Sequence, residues 1–127
     1  MRAFRRSWTL LAGLALCVSL SGAASAQINP FRGFGPGMSD EDLKLFGEAS
    51  DRLNTREHPV VGGVETWRNS QTGGGGTATL TRIYQWRGMP CHSINYDLLV
   101  ANRTESRRRD YTLEWCRTAD GAWKIRN

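Results

Sequence analysis

Few residues in this chain have the chemistry to act on a substrate. Its two histidines are His58 and His92. His58 precedes Pro59 in a connecting stretch and reads as solvated. His92 lies in an apolar strand pattern and reads as a hydrogen-bonded, partly buried side chain rather than a base. The sequence contains no G-x-S-x-G nucleophile elbow and no H-E-x-x-H zinc helix. Asp97, Asp110 and Glu114 could share a proton or hold a hard cation if a sheet brought them together. The alternative is that they point into water, screened by neighbouring arginines. Those arginines, Arg107, Arg108 and Arg109, form the one dense basic cluster. They could contact phosphates of a lipid or a polyanionic sugar. They could equally be a solvated strand entry whose charge discourages edge-to-edge aggregation. The run Gly73–Gly76 lacks the Lys-Ser/Thr that completes a phosphate loop, and is expected to be a flexible hairpin tip.

The cysteines are best understood through the start of the chain. Met1 to Arg6 is cationic, Trp8 to Leu20 is apolar and uncharged, and Ser21 to Ala26 consists of small residues. This is the order of a cleaved secretory signal over residues 1–26. The apolar run falls short of the roughly 20 residues that span a bilayer. Cys17 lies inside it after Leu16, where a lipoprotein signal carries a small residue, so Cys17 is expected to leave with the signal. Cys91 and Cys116 remain, an even count in an oxidising compartment, and are expected to form a disulfide. A loop of that length is worth about 3.5 kcal/mol in the chain-entropy model. The signal also takes Arg2, Arg5 and Arg6, three of the 17 basic residues. That leaves 14 against 12 acidic ones, a net of +2. Nucleic acid is therefore not an expected partner.

The elements that must position these residues follow from periodicity. Residues 27–38, with Pro30, Gly33, Gly35, Pro36 and Gly37, read as a flexible linker. One domain is expected over 39–127. Ser39 is an N-cap followed by Asp40, Glu41 and Asp42, and Met38 and Leu43 suit a hydrophobic staple. Leu43, Phe46, Ala49 or Ser50, and Leu53 recur at helical spacing to a predicted end near Asn54. Beyond Pro59 the pattern is that of strands, with turns at Gly88-Met89-Pro90, 101–106 and Asp120-Gly121.

A register can be proposed from the disulfide. With Cys91 opposite Cys116, His92 meets Trp115, Ile94 meets Leu113 and Tyr96 meets Tyr111 on one apolar face. Ser93–Glu114 and Asn95–Thr112 fall on a polar face with the disulfide, and Asp97 faces Asp110. A turn centred on Met89 would set Tyr84 opposite Ile94 and Trp86 opposite His92. A turn at Asp120 would set Trp123 near Arg117 and Ile125 near Trp115. Trp86, Trp115 and Trp123 then share the apolar face and read as core rather than as a glycan platform. The predicted fold is α+β: one N-terminal helix packed on a meander of about five antiparallel strands, with one disulfide.

Trp67-Arg68-Asn69, Gly73–Gly76, Cys91, Tyr96, Trp115-Cys116-Arg117 and Asp120 to Ile125 occur in an order that resembles the bacterial 17 kDa surface antigen family, in its outer-membrane surface-antigen domain. The resemblance covers roughly residues 39–127. It implies a cell-envelope protein, often a lipoprotein, with a small disulfide-bonded β-domain and no established enzymatic activity, and it carries over no catalytic residue. The chain departs from the family in lacking a lipobox and a glycine-zipper segment. Together these readings give an exported protein of the periplasm or outer membrane, non-catalytic and without a cofactor or metal. Its expected partner is an envelope protein or glycan, and Arg107 to Arg109 are the candidate contacts. The alternatives are a small-ligand, lipid or glycan-binding module, and an envelope hydrolase using Asp97, Asp110 or Glu114.

Overall fold

The computed structural model describes residues 37–126. The signal segment and most of the 27–38 linker lie outside the described residues. One helix, α1 (Asp40–Asn54), precedes five strands: β1 (Val64–Arg68), β2 (Gly75–Trp86), β3 (Met89–Ala101), β4 (Ser106–Arg117) and β5 (Trp123–Ile125). The strands form one antiparallel sheet in sequence order. The fold is α+β.

The start of α1 is fixed by a capping box. Ser39 Oγ accepts from the Asp42 amide, and the Asp42 carboxylate accepts from the Ser39 amide. The same carboxylate accepts from Asn69 Nδ2 at 2.9 Å and from Thr72 Oγ1 at 3.2 Å. One buried side chain thus caps the helix and ties it to the β1–β2 loop.

The helix lays Phe46, Ala49 and Leu53 onto Ala78, Leu80, Ile94, Tyr96 and Leu98. Full burial of side chains such as Phe46 and Leu53 contributes about 1.5–3 kcal/mol each. Phe46 meets Trp67 edge-on at 5.8 Å and Tyr96 at 4.6 Å between ring centres. Tyr96 is fully buried with its hydroxyl satisfied on both sides. Ser50 gives its one hydrogen to the Phe46 carbonyl, so the Tyr96 hydroxyl donates to Ser50 and accepts from Trp115 Nε1.

The β3–β4 register is the one the disulfide implies. Cys91 opposes Cys116, His92 opposes Trp115, Ile94 opposes Leu113, Tyr96 opposes Tyr111, and Asp97 opposes Asp110. Trp115 opposes Ile125, and Arg117 opposes Trp123.

The β2–β3 register departs from expectation. The turn is the pair Arg87-Gly88, both at positive φ as a type I′ hairpin requires, and Met89 and Pro90 already belong to β3. Tyr84 therefore opposes Cys91, and Trp86 opposes Met89. A bulge between Leu80 and Arg82 adds the residue that reconciles this shorter turn with Leu80 opposite Ile94. Trp86 thus stands on the disulfide's face, not in the core, with Arg87 and Arg126 over its ring.

Gly75 and Gly76 also differ from expectation, since they are strand residues of β2 rather than a flexible tip. A Cβ at Gly76 would fall 2.5 Å from the Trp67 ring. The glycine lets that indole lie against the sheet.

Candidate functional site

The three arginines are not brought onto one surface. The strand pleat puts Arg107 and Arg109 on the helix side, opposite Val100 and Leu98, and Arg108 on the disulfide side, opposite Leu99. Arg108 holds both oxygens of Asp97 at 3.0 and 3.1 Å. Arg107 pairs with Glu105 at 2.7 Å, both half-exposed. Arg109 has a buried Nε with no hydrogen-bond partner among the described residues.

The arginines share a strand edge instead. Among the described residues β5 pairs with Trp115 to Arg117 of β4. The next rung is the Arg126 amide on the Glu114 carbonyl. Because N–H and C=O of one residue point to the same side, the even residues of β4 aim outward and the odd ones aim at β3. The backbone groups of Arg108, Asp110 and Thr112 therefore face away from the sheet. Among the described residues no strand pairs with this edge from Ser106 to Leu113, a span of about 26 Å at about 3.3 Å per residue. The opposite edge, β1, is five residues long, and Arg56 already bonds the Val64 carbonyl there at 3.0 Å.

A groove of about 590 Å³ lies between α1 and β4 at Trp115, the residue opposite Ile125 of β5. Leu43, Gly47 and Asp51 line one wall, and Trp115 lies opposite. Leu113 and Tyr111 continue from Trp115 along the same face of β4, each only partly buried. The helix packs mainly over β1 and β2, and Tyr111, Leu113 and Trp115 pack against the edge of the core.

The three carboxylates lie on the disulfide face, each already engaged. Asp97 is held by Arg108, and Asp110 accepts from Asn95 Nδ2 at 2.7 Å. Glu114 accepts from Ser93 at 2.8 Å and from the Tyr84 hydroxyl, with Arg82 at 3.7 Å. Burial raises the Glu114 pKa, but these donors, Arg82 and Arg126 together hold it below the usual carboxylate value. Desolvation, followed by the bond to Glu114, pushes Tyr84 up. Among the described residues no group of His, Cys, Asp and Glu is placed to hold a metal ion.

His92 sits at the far end of the sheet in a recess of about 460 Å³, with Asn54, Ile83, Pro90, Arg117 and Trp123 around it. Its Nδ1 lies 2.9 Å from Asn54 Oδ1, and its ring stacks on Trp123 at 4.4 Å. Burial lowers its pKa, so the imidazole is neutral near pH 7. His58 is exposed.

Cys91 and Cys116 form the disulfide, with the two residues 0% and 4% exposed. Trp67, Asn69, Tyr96 and Trp115, on which the family resemblance rests, occupy the core or its bonds. Comparison with family models, with curated proteins and with solved structures finds no match to this chain. The β4 edge went unnoticed in the sequence because it depends on β5 being far shorter than its neighbour.

Proposed function

We propose that this chain is an exported, non-catalytic binding domain of the bacterial cell envelope that receives a partner protein on the open side of its sheet. The observation that carries the reading is the β4 edge, which beyond β5 has no strand partner among the described residues and is bordered by arginines on both faces. A row of free backbone donors and acceptors is a template for another strand. Support for export comes from the signal-like start and from the buried Cys91–Cys116 bond, which suits an oxidising compartment. The ordered residues that resemble a surface-antigen domain suit an envelope location. The hydrolase alternative is weakened because Asp97, Asp110 and Glu114 are each bound to a neighbouring side chain.

The test is expression of the full chain with a photo-crosslinking residue at Thr112 on the edge, and separately at Lys124 on β5. Export with oxidised cysteines and a discrete protein adduct from position 112 alone is expected. Retention in the cytoplasm with free thiols, or equal labelling from both positions, would refute the reading.

A further inference from the structure

We infer that the recess beyond the end of α1 is a binding site for a small neutral molecule carrying a secondary amide, a C=O beside an N–H. The site is separate from the Ser106–Leu113 edge of β4 and does not depend on what that edge receives.

The recess follows from where the elements end. α1 stops at Asn54, while β2 and β3 run on past it. Ile83 opposes His92 there, and Trp123 of β5 stacks on the His92 ring at 4.4 Å. Pro59, from the segment that leaves the helix, and Pro90 of β3 add further apolar lining. The space is about 460 Å³, within the range of small-ligand sites.

Its buried polar content is one linked pair. Asn54 and His92 are 4% and 3% exposed, and Asn54 Oδ1 lies 2.9 Å from His92 Nδ1. Burial keeps the imidazole neutral near pH 7, so one ring nitrogen donates and the other accepts. With Nδ1–H donating to Oδ1, two groups are left over: the N–H donors of Asn54 Nδ2 and the lone pair of His92 Nε2. Asn54 Nδ2 is buried with no hydrogen-bond partner among the described residues, and none of them bonds His92 Nε2. The reverse assignment, with the Asn54 amide turned over and the other histidine tautomer, leaves an acceptor on Asn54 and a donor on His92. Either way one donor and one acceptor remain, on two residues that both line the recess.

Buried polar groups are rarely left without a partner, so an orphan in the lining of a recess marks a place for a group from outside the chain. A secondary amide matches this pair, since its C=O accepts and its N–H donates. Ile83, Pro59, Pro90 and Trp123 suit the carbon on either side of that group. The charges nearby do not select an ion. Arg117 and Glu57 are exposed and opposite in sign, and Arg56 is paired with Glu65 at 2.7 Å.

Two kinds of small molecule carry the group, an N-acetylated sugar and a blocked amino acid. The probes are N-acetylglucosamine and N-acetylalanine methylamide, each titrated into the purified 15N-labelled chain and followed by NMR. Their controls are glucose and methyl 2-acetoxypropanoate, which lack the amide. At least one amide probe is expected to shift the Asn54 side-chain and Trp123 indole signals saturably, and to bind at least tenfold more tightly than its control. The probe that does so identifies the source. The double variant Asn54→Leu with His92→Phe replaces both partners by apolar groups of similar shape, so the fold should survive and binding should fall at least tenfold. Should circular dichroism show that variant misfolded, Ile83→Trp takes its place. Ile83 is 43% exposed, so the larger side chain narrows the recess without entering the core, and should weaken binding at least fivefold. Saturation by neither probe, affinity equal to that of the controls, or binding unchanged in the folded variants would overturn the inference, and the Asn54 donor would then serve water alone. The crosslinking test at Thr112 reads a different surface, so failure here leaves the proposed function standing.

Discussion

At Gly76 one added carbon decides whether Trp67 can lie against the sheet. The Cβ of Gly76→Ala would stand 2.5 Å from two atoms of that ring and 2.9 Å from the Asp97 carbonyl. Overpacking of this kind costs about 1–3 kcal/mol, and a urea midpoint should record the loss. Gly47 is the contrast, since a Cβ there meets nothing within 4 Å and the residue lies mid-helix. Gly47→Ala should raise stability by up to about 1 kcal/mol in the same assay. His92 gives the pH dependence. Above its ordinary pKa of 6.5 the ring is neutral in the folded and the unfolded chain. Below 6.5 the unfolded chain takes up a proton that burial denies the folded one, so stability falls as pH drops toward the lowered folded pKa. Melting temperatures between pH 7 and pH 5 should fall less steeply for His92→Phe. That variant should nonetheless be less stable at pH 7, because it loses the bond to Asn54.

Between elements, Asp42 accepts two hydrogen bonds from the cap residue Ser39 and two from Asn69 and Thr72 of the β1–β2 loop, and so holds the N-terminus of α1 to that loop. Asp42→Ala removes the cap acid and strands donors from Ser39, Asn69 and Thr72. It should cost about 2–4 kcal/mol, against about 1 kcal/mol for Ser39→Ala, by chemical denaturation. The helix, its cap and its buried face were legible in the sequence because cap chemistry and a 3.6-residue period point to one answer. The β3–β4 register was legible because two independent signals, the cysteines and the alternation, agreed. The β2–β3 register was not. Arg87-Gly88 lacks the Asn-Gly signature of a type I′ turn, and the bulge between Leu80 and Arg82 hides the change of face. Pro90 reads as a turn residue, yet it sits in β3 with its missing N–H on the side of β4. That ladder begins only at Cys91. The open edge was illegible for a related reason: the reach of β5 is a matter of pairing, not of residue type.

At the scale of the whole molecule, one covalent bond joins the middle strand of the sheet to its neighbour. Cys91→Ser with Cys116→Ser should lower stability by about 3.5 kcal/mol, read as a shift in the denaturation midpoint. The sheet's pairing should survive, since Ile94–Leu113 and Tyr96–Tyr111 sort the faces without it. Reduction of the native chain should be slow, because neither cysteine exposes more than 4% of its surface. The order of the strands adds a consequence in time. Each strand pairs with its neighbour in sequence, so a chain delivered from its N-terminus can add them one by one. The helix comes first but has no sheet to lie on until β2 and β3 arrive. Cys116 comes late, after the ten other paired positions of β3 and β4 can begin to align. The sulfur–sulfur bond thus acts as a latch on a register already chosen, closing behind the assembly rather than steering it.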